Sequence, residues 1–122
     1  MALTTFEAPT PTAMRRCMGR LIAGVCVVTA DDAESGSCGM TISSMTSISL
    51  DPAILLVSLT HGSRTTDTVD KAGRFAVSIL SARQEAIARR FATRGGARFE
   101  GLDCDTGDNG LPLIKDAGAD RM

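Results

Sequence analysis

Tryptophan and tyrosine are absent from this 122-residue chain, whose aromatic content rests on Phe6, Phe75, Phe91 and Phe99. A platform for single-stranded nucleic acid needs stacking faces on an exposed sheet, which four scattered phenylalanines hardly supply. Histidine is almost missing too. His61 stands alone, and no two of Cys17, Cys26, Cys38 and Cys104 form a C-x-x-C pair. Zinc sites are built from close ligand pairs, so no metal site is expected. No apolar run approaches the roughly 20 residues of a membrane-spanning helix, and no secretory leader is recognisable. The cysteines therefore read as free thiols in a reducing cytoplasm, with Cys17 and Cys26 as core filler on apolar faces. An excess of one charge is also lacking: 13 basic and 14 acidic residues leave a net charge of −1. That balance gives no strong non-specific pull towards nucleic acid or an anionic membrane.

What is present is a 43% apolar chain of one-domain length, enough to bury a core. Residues 1–12, with Thr4, Thr5, Pro9, Thr10 and Pro11, read as a loose lead. A helix over 13–23 follows, with Met14, Cys17, Met18, Leu21 and Ile22 on one face and Gly24 ending it. Val25–Ala30 is a β-branched strand, 31–37 a polar turn, and 38–43 a second strand. The continuous apolar run 53–60 predicts a strand buried on both faces. Ser63 caps a helix over 64–72 that Gly73 stops, and 74–80 is a further strand. Ser81 and Gln84 form a capping box for a helix over 82–93, with Ala86, Ile87, the Arg90 stem and Phe91 facing inward. From Gly95 the chain turns Gly- and Asp-rich and loses periodicity, and 115–122 is an irregular tail. Strands joined by short helices suggest a βαβ layout, but no G-x-G-x-x-G follows a strand.

The most informative stretch lies between Gly39 and Pro52. Thr41, Ser43, Ser44, Thr46, Ser47 and Ser49 place six hydroxyls in nine residues, with no charge before Asp51 and with Ile42, Met45, Ile48 and Leu50 interspersed. A half-buried wall for a flat ligand with polar edges would have this composition. The alternative is a Ser/Thr-rich strand whose hydroxyls bond the local backbone. Further on, Ser63-Arg64-Thr65-Thr66 opens a helix just after a strand. The N–H groups and partial positive charge there suit a phosphate. Helix capping alone would also explain Ser63.

These stretches occur in a fixed order: Met18-Gly19-Arg20, Gly24-Val25, Val27-Val28-Thr29, Gly39 to Pro52, Leu56 to Leu59, Ser63-Arg64-Thr65, Gly73 to Leu80, Arg89-Arg90-Phe91 and Phe99-Glu100-Gly101. In that order the chain resembles the FMN-binding split-barrel flavin reductases over about 13–114. The resemblance implies a mainly β fold with flanking helices, a Greek-key split β-barrel. It implies hydride transfer from NADH or NADPH to FMN, with FAD possible, and supply of reduced flavin to a partner monooxygenase. It also implies a cytoplasmic homodimer. Thr41, Ser43, Ser44, Ser47, Ile48 and Ser49 would surround the ring, and Ser63, Arg64 and Thr65 would hold the phosphate. Arg98-Phe99 would border the flavin, while His61 is read as a loop residue outside the site and Arg94 as a solvated helix position.

Members of that family continue beyond the motif matched by Gly110-Leu111-Pro112-Leu113, whereas this chain stops at Met122. The barrel is therefore expected to be incomplete at its C-terminal end. A catalytically weak flavin-binding module is the alternative function. No triad, carboxylate pair or catalytic residue can be assigned, which suits a reaction whose chemistry the cofactors carry.

Overall fold

The computed structural model describes residues 10–93 and 98–115. Expectations for the lead over 1–9, for Arg94 and for the tail from 116 lie outside those residues. In chain order the elements are α1 (Pro11–Met18), β1 (Cys26–Asp32), β2 (Gly36–Ile42), β3 (Met45–Leu50), β4 (Ala53–Val57), α2 (Arg64–Ala72), β5 (Ala76–Ile79), α3 (Glu85–Ala92), β6 (Cys104–Thr106) and β7 (Pro112–Ile114).

The fold is built on β1. It pairs antiparallel with β2 on one side and with β5 on the other, which removes the parallel βαβ layout. Cys26 to Ala30 are all buried, as a central strand covered on both faces requires. Alternation sends successive side chains to opposite faces. Cys26 and Val28 pack with Ile42 and Val77. Val27 packs with Phe91 and Ile114. Burial also raises the Cys26 thiol pKa, because the thiolate would lose its hydration.

A hairpin, β6–β7, packs against β1 and β5 of this sheet. Thr29 Oγ1 donates to the Pro112 carbonyl at 2.7 Å, and the Ile114 N–H donates to Ser78 Oγ at 3.0 Å. Leu111 and Ile114 are thereby fully buried. The strands escaped the sequence because each has three residues, too short to show a period.

The second hairpin, β3–β4, turns through a cis Asp51–Pro52 bond and carries Ile48 as the extra residue of a bulge between Ser47 and Ser49. Met45, Leu55 and Val57 pack onto the core. Ile48, Leu50, Ile54 and Leu56 stay exposed. The expectation of a strand buried on both faces therefore fails: β4 ends at Val57 and only one side is covered. An apolar run shows what a strand could bury, not which neighbour is present to cover it.

α1 corrects another expectation. Thr10 caps it, Gly19 ends it, and none of its residues is buried. Cys17 is exposed rather than core filler, because an amphipathic period does not itself supply a packing partner. α3 starts at Glu85, and Gln84 Oε1 accepts the Ser81 N–H at 2.9 Å, one arm of the expected capping box. Of its expected inward face, Phe91 is buried and Ile87 half-buried, while Ala86 and Arg90 are exposed. The chain is thus mainly strands with three helices, of which α2 and α3 pack against the central sheet, and its ladders remain separate among the described residues.

Candidate functional site

β2 is an edge of the central sheet, and α2 and α3 both pack against this sheet. Between them lies a cleft of about 770 Å³. Ser37, Cys38, Met40 and Thr41 from β2 form its floor. Thr60 to Thr65 form one wall, and Phe91, Ala92, Arg98, Phe99 and Glu100 form the other.

The first wall contains the N-terminus of α2. Ser63 is the N-cap of α2, and its Oγ accepts the Thr66 N–H at 3.1 Å. Thr66 Oγ1 donates to the Thr60 carbonyl at 2.6 Å. That uses its one proton, so Ser63 donates in the 2.7 Å Ser63–Thr66 contact. The N–H groups of Arg64 and Thr65 are the first in the helix and have no intrahelical acceptor. Thr65 is 2% exposed and lines the cleft. Arg64 also lines it, and its guanidinium donates to the Ser35 carbonyl in the β1–β2 turn. Outward N–H groups, a hydroxyl and a guanidinium make a donor set that fits a phosphate.

The opposite wall is aromatic. Phe91 and Phe99 meet edge to face, with ring centroids 5.1 Å apart and planes at 72°. Arg98 holds this wall to the floor: Nη1 donates to the Gly39 carbonyl at 2.6 Å and Nη2 to the Thr93 carbonyl at 2.7 Å. Arg90 Nη1 donates to the Glu100 carbonyl at 3.0 Å. Gly39 makes the approach possible, since a Cβ there would lie 3.0 Å from Phe91 Cε1 and from the Val28 carbonyl.

The fold gathers Thr41, Ser63, Arg64 and Thr65 around this cleft. Thr41 Oγ1 donates to the Ala88 carbonyl at 2.6 Å, tying β2 to α3. Ser43 and Ser44 are exposed in the link to β3, and Ser44 Oγ donates to the Ser58 carbonyl at 2.6 Å. Ser47, Ile48 and Ser49 lie on β3, and none of these five residues lines the cleft. Arg98-Phe99 borders it, and so does exposed His61, which sequence reasoning set aside. Ser37, Cys38, Met40, Thr60 and Phe91 were also missed. An edge strand beside a helix N-terminus would have pointed to Ser37 and Cys38; pairing order is what the sequence conceals. Cys104 is half-buried, and burial followed by Asp103 and Asp105 pushes its thiol pKa up. Among the described residues no His, Cys, Asp and Glu side chains cluster to hold a metal, and no helix is long and apolar enough to cross a membrane.

Comparison with known proteins identifies the family and the fold. The model of the flavin reductase like domain matches residues 18–120. FMN reductase (NADH) SmoA of Agrobacterium fabrum is 41% identical over 100 residues, which are 82% of this chain and 56% of that protein. The NADH:FAD oxidoreductase SgcE6 of Streptomyces globisporus superposes with a TM-score of 0.80 at 35% identity, over 93% of this chain and 71% of that one. A nitrilotriacetate monooxygenase component B homolog from Mycobacterium thermoresistibile gives a TM-score of 0.81 at 32% identity, over 87% of this chain and 59% of that one. The chain spans 37%, 62% and 56% of the lengths of three curated relatives it matches.

Proposed function

The chain belongs to the flavin reductase like domain family, and from that premise we propose that it binds FMN in the β2–α2–α3 cleft as part of an NADH-dependent flavin reductase. The single observation that carries this reading is the cleft itself. It opens on the N-terminus of α2 at one wall and on the Phe91–Phe99 pair at the other. Ser63, Arg64 and Thr65 hold the phosphate. Thr41 meets the near part of the ring, and the hydroxyl run Ser43, Ser44, Ser47, Ile48 and Ser49 serves its further edge. That run is largely solvent-facing; Ser44 Oγ is spent on the Ser58 carbonyl and β3 is paired with β4, so the exposed Ser43 and Ser47 side chains are the ones placed to reach a ligand that extends out of the cleft. We assign this role to the unit 13–114, with the ladders seen here as parts of a split barrel.

Bound flavin supplies the hydride-accepting chemistry. The residues of the chain supply position and charge. Donors of the α2 terminus fix one end of the ligand, and the aromatic wall excludes water from its flank. Relatives are named FMN reductase (NADH) and NADH:FAD oxidoreductase, which supports NADH as donor and FMN as acceptor, with FAD as an alternative flavin. The likeness to a monooxygenase component B supports delivery of reduced flavin to a separate monooxygenase. The apolar outer face of β3–β4, with Leu50 91% exposed, supports a homodimer that covers it.

Mixing the purified chain with FMN and following NADH loss by absorbance tests the reading. Flavin-dependent NADH oxidation is expected. Flavin retention without oxidation would reduce the chain to a binding module, and neither in folded protein would leave a structural domain.

A further inference from the structure

The β1–β2 turn and the far end of α2 are joined by a charge cluster that lines no part of the cleft. Lys71 Nζ lies 3.2 Å from Asp32 Oδ2 and 2.9 Å from Glu34 Oε2. Asp32 in turn shapes the turn: Oδ1 accepts the Glu34 N–H at 3.1 Å, and Oδ2 accepts the Ser35 hydroxyl at 3.2 Å. The next link is Ser35, whose carbonyl receives the Arg64 guanidinium. Lys71 and Arg64 stand near opposite ends of the same helix, and both are fastened to this one turn.

We propose that Lys71 is a positioning residue for Arg64. It holds the turn whose Ser35 carbonyl aims the guanidinium, and it engages both carboxylates that would otherwise compete for Arg64, offsetting one of their two charges. Two consequences follow from the chemistry of the cluster. Without Lys71, Asp32 and Glu34 lose their shared cation in the turn to which Arg64 is bonded, and a guanidinium prefers a carboxylate to a neutral carbonyl. The Asp32 carboxyl is held below its ordinary pKa by the Glu34 N–H and then by Lys71, so it stays charged at neutral pH. The competing charge is therefore permanent, and Lys71 is the residue bonded to both carboxylates. The inference deepens the proposed function and rests on the phosphate lying at Arg64.

The test compares FMN with riboflavin, which lacks the phosphate, by fluorescence titration of wild type, Lys71→Met, Lys71→Arg, Arg64→Ala and the Arg64→Ala/Lys71→Met double variant. Lys71→Met is expected to weaken FMN roughly two- to fivefold, the scale of an exposed ion pair, and to leave riboflavin unchanged. A purely structural role would weaken both ligands together. Lys71→Arg should restore FMN binding, and in the Arg64→Ala background Lys71→Met should cost nothing further. Equal losses for both ligands, or independent losses in the double variant, would overturn the positioning role. If Arg64→Ala itself fails to separate FMN from riboflavin, the phosphate reading falls, and the positioning role falls with it.

Discussion

Arg98 bonds through Nη1 to the Gly39 carbonyl at 2.6 Å, across a sequence separation of 59 residues. This bond joins the aromatic wall of the cleft to the edge strand that forms its floor. Replacing Arg98 with alanine removes two guanidinium donors at once. The expected cost is about 1–3 kcal/mol of stability, read from urea denaturation, together with weaker flavin binding as the wall loosens. Lysine should not rescue it, because one ammonium lacks the planar fork that reaches the Gly39 and Thr93 carbonyls together.

Gly39 is tested from the other side. An alanine methyl would sit 3.0 Å from Phe91 Cε1 and 3.1 Å from Cδ1, and 3.0 Å from the Val28 carbonyl. The carbonyl belongs to the central strand, and Phe91 is 1% exposed, so neither neighbour can yield freely. Gly39→Ala should destabilise by about 1–3 kcal/mol through overpacking. An unchanged urea midpoint would show that the wall is more pliant than its burial implies.

Ser63→Ala should act twice. Loss of the bond to the Thr66 N–H removes the cap of α2, worth about 1 kcal/mol. The same change loosens the helix terminus whose first N–H groups face the phosphate, so FMN affinity should fall by more than riboflavin affinity. Thermal denaturation reads the first effect and flavin titration the second.

The Lys71 cluster makes a pH prediction whose sign can be worked out. Asp32 has a lowered pKa, caused first by the Glu34 N–H and then by Lys71. Its contribution is present above the ordinary carboxylate value of about 3.9 and lost as pH falls through the lower folded value. Lys71 has a raised pKa, caused first by Glu34 and then by Asp32. Its contribution is present below the ordinary value of about 10.4 and lost as pH rises through the higher folded one. The stability difference between wild type and Lys71→Met should therefore be flat near neutrality and shrink at both extremes. Denaturation midpoints at several pH values check this, and a difference that grows in acid would contradict it.

Local chemistry was legible in the sequence where one residue type suffices for the job. Ser63 and Gly73 bound α2 as expected, because a cap hydroxyl and a left-handed glycine are short-range requirements. The β-branched run at β1 marked the central strand. Burial of β4 and of α1 was not legible, since both depend on which neighbour arrives. The cleft was half legible. The resemblance assigned Thr41, Ser63, Arg64 and Thr65, all of which line it, but the rest of the hydroxyl run lies outside. The Phe91 wall and the Ser37–Cys38 floor depend on α3 and 98–100 folding back over β2, a long-range contact with no local signature.

Equilibrium titration of FMN into the purified chain, followed by quenching of flavin fluorescence, addresses the flavin cleft without requiring turnover. A saturable one-to-one curve is expected, with Arg64→Ala weakening FMN about tenfold, as loss of a charge-assisted phosphate contact implies, and leaving riboflavin unchanged. A flat titration in folded protein would contradict flavin binding in this cleft.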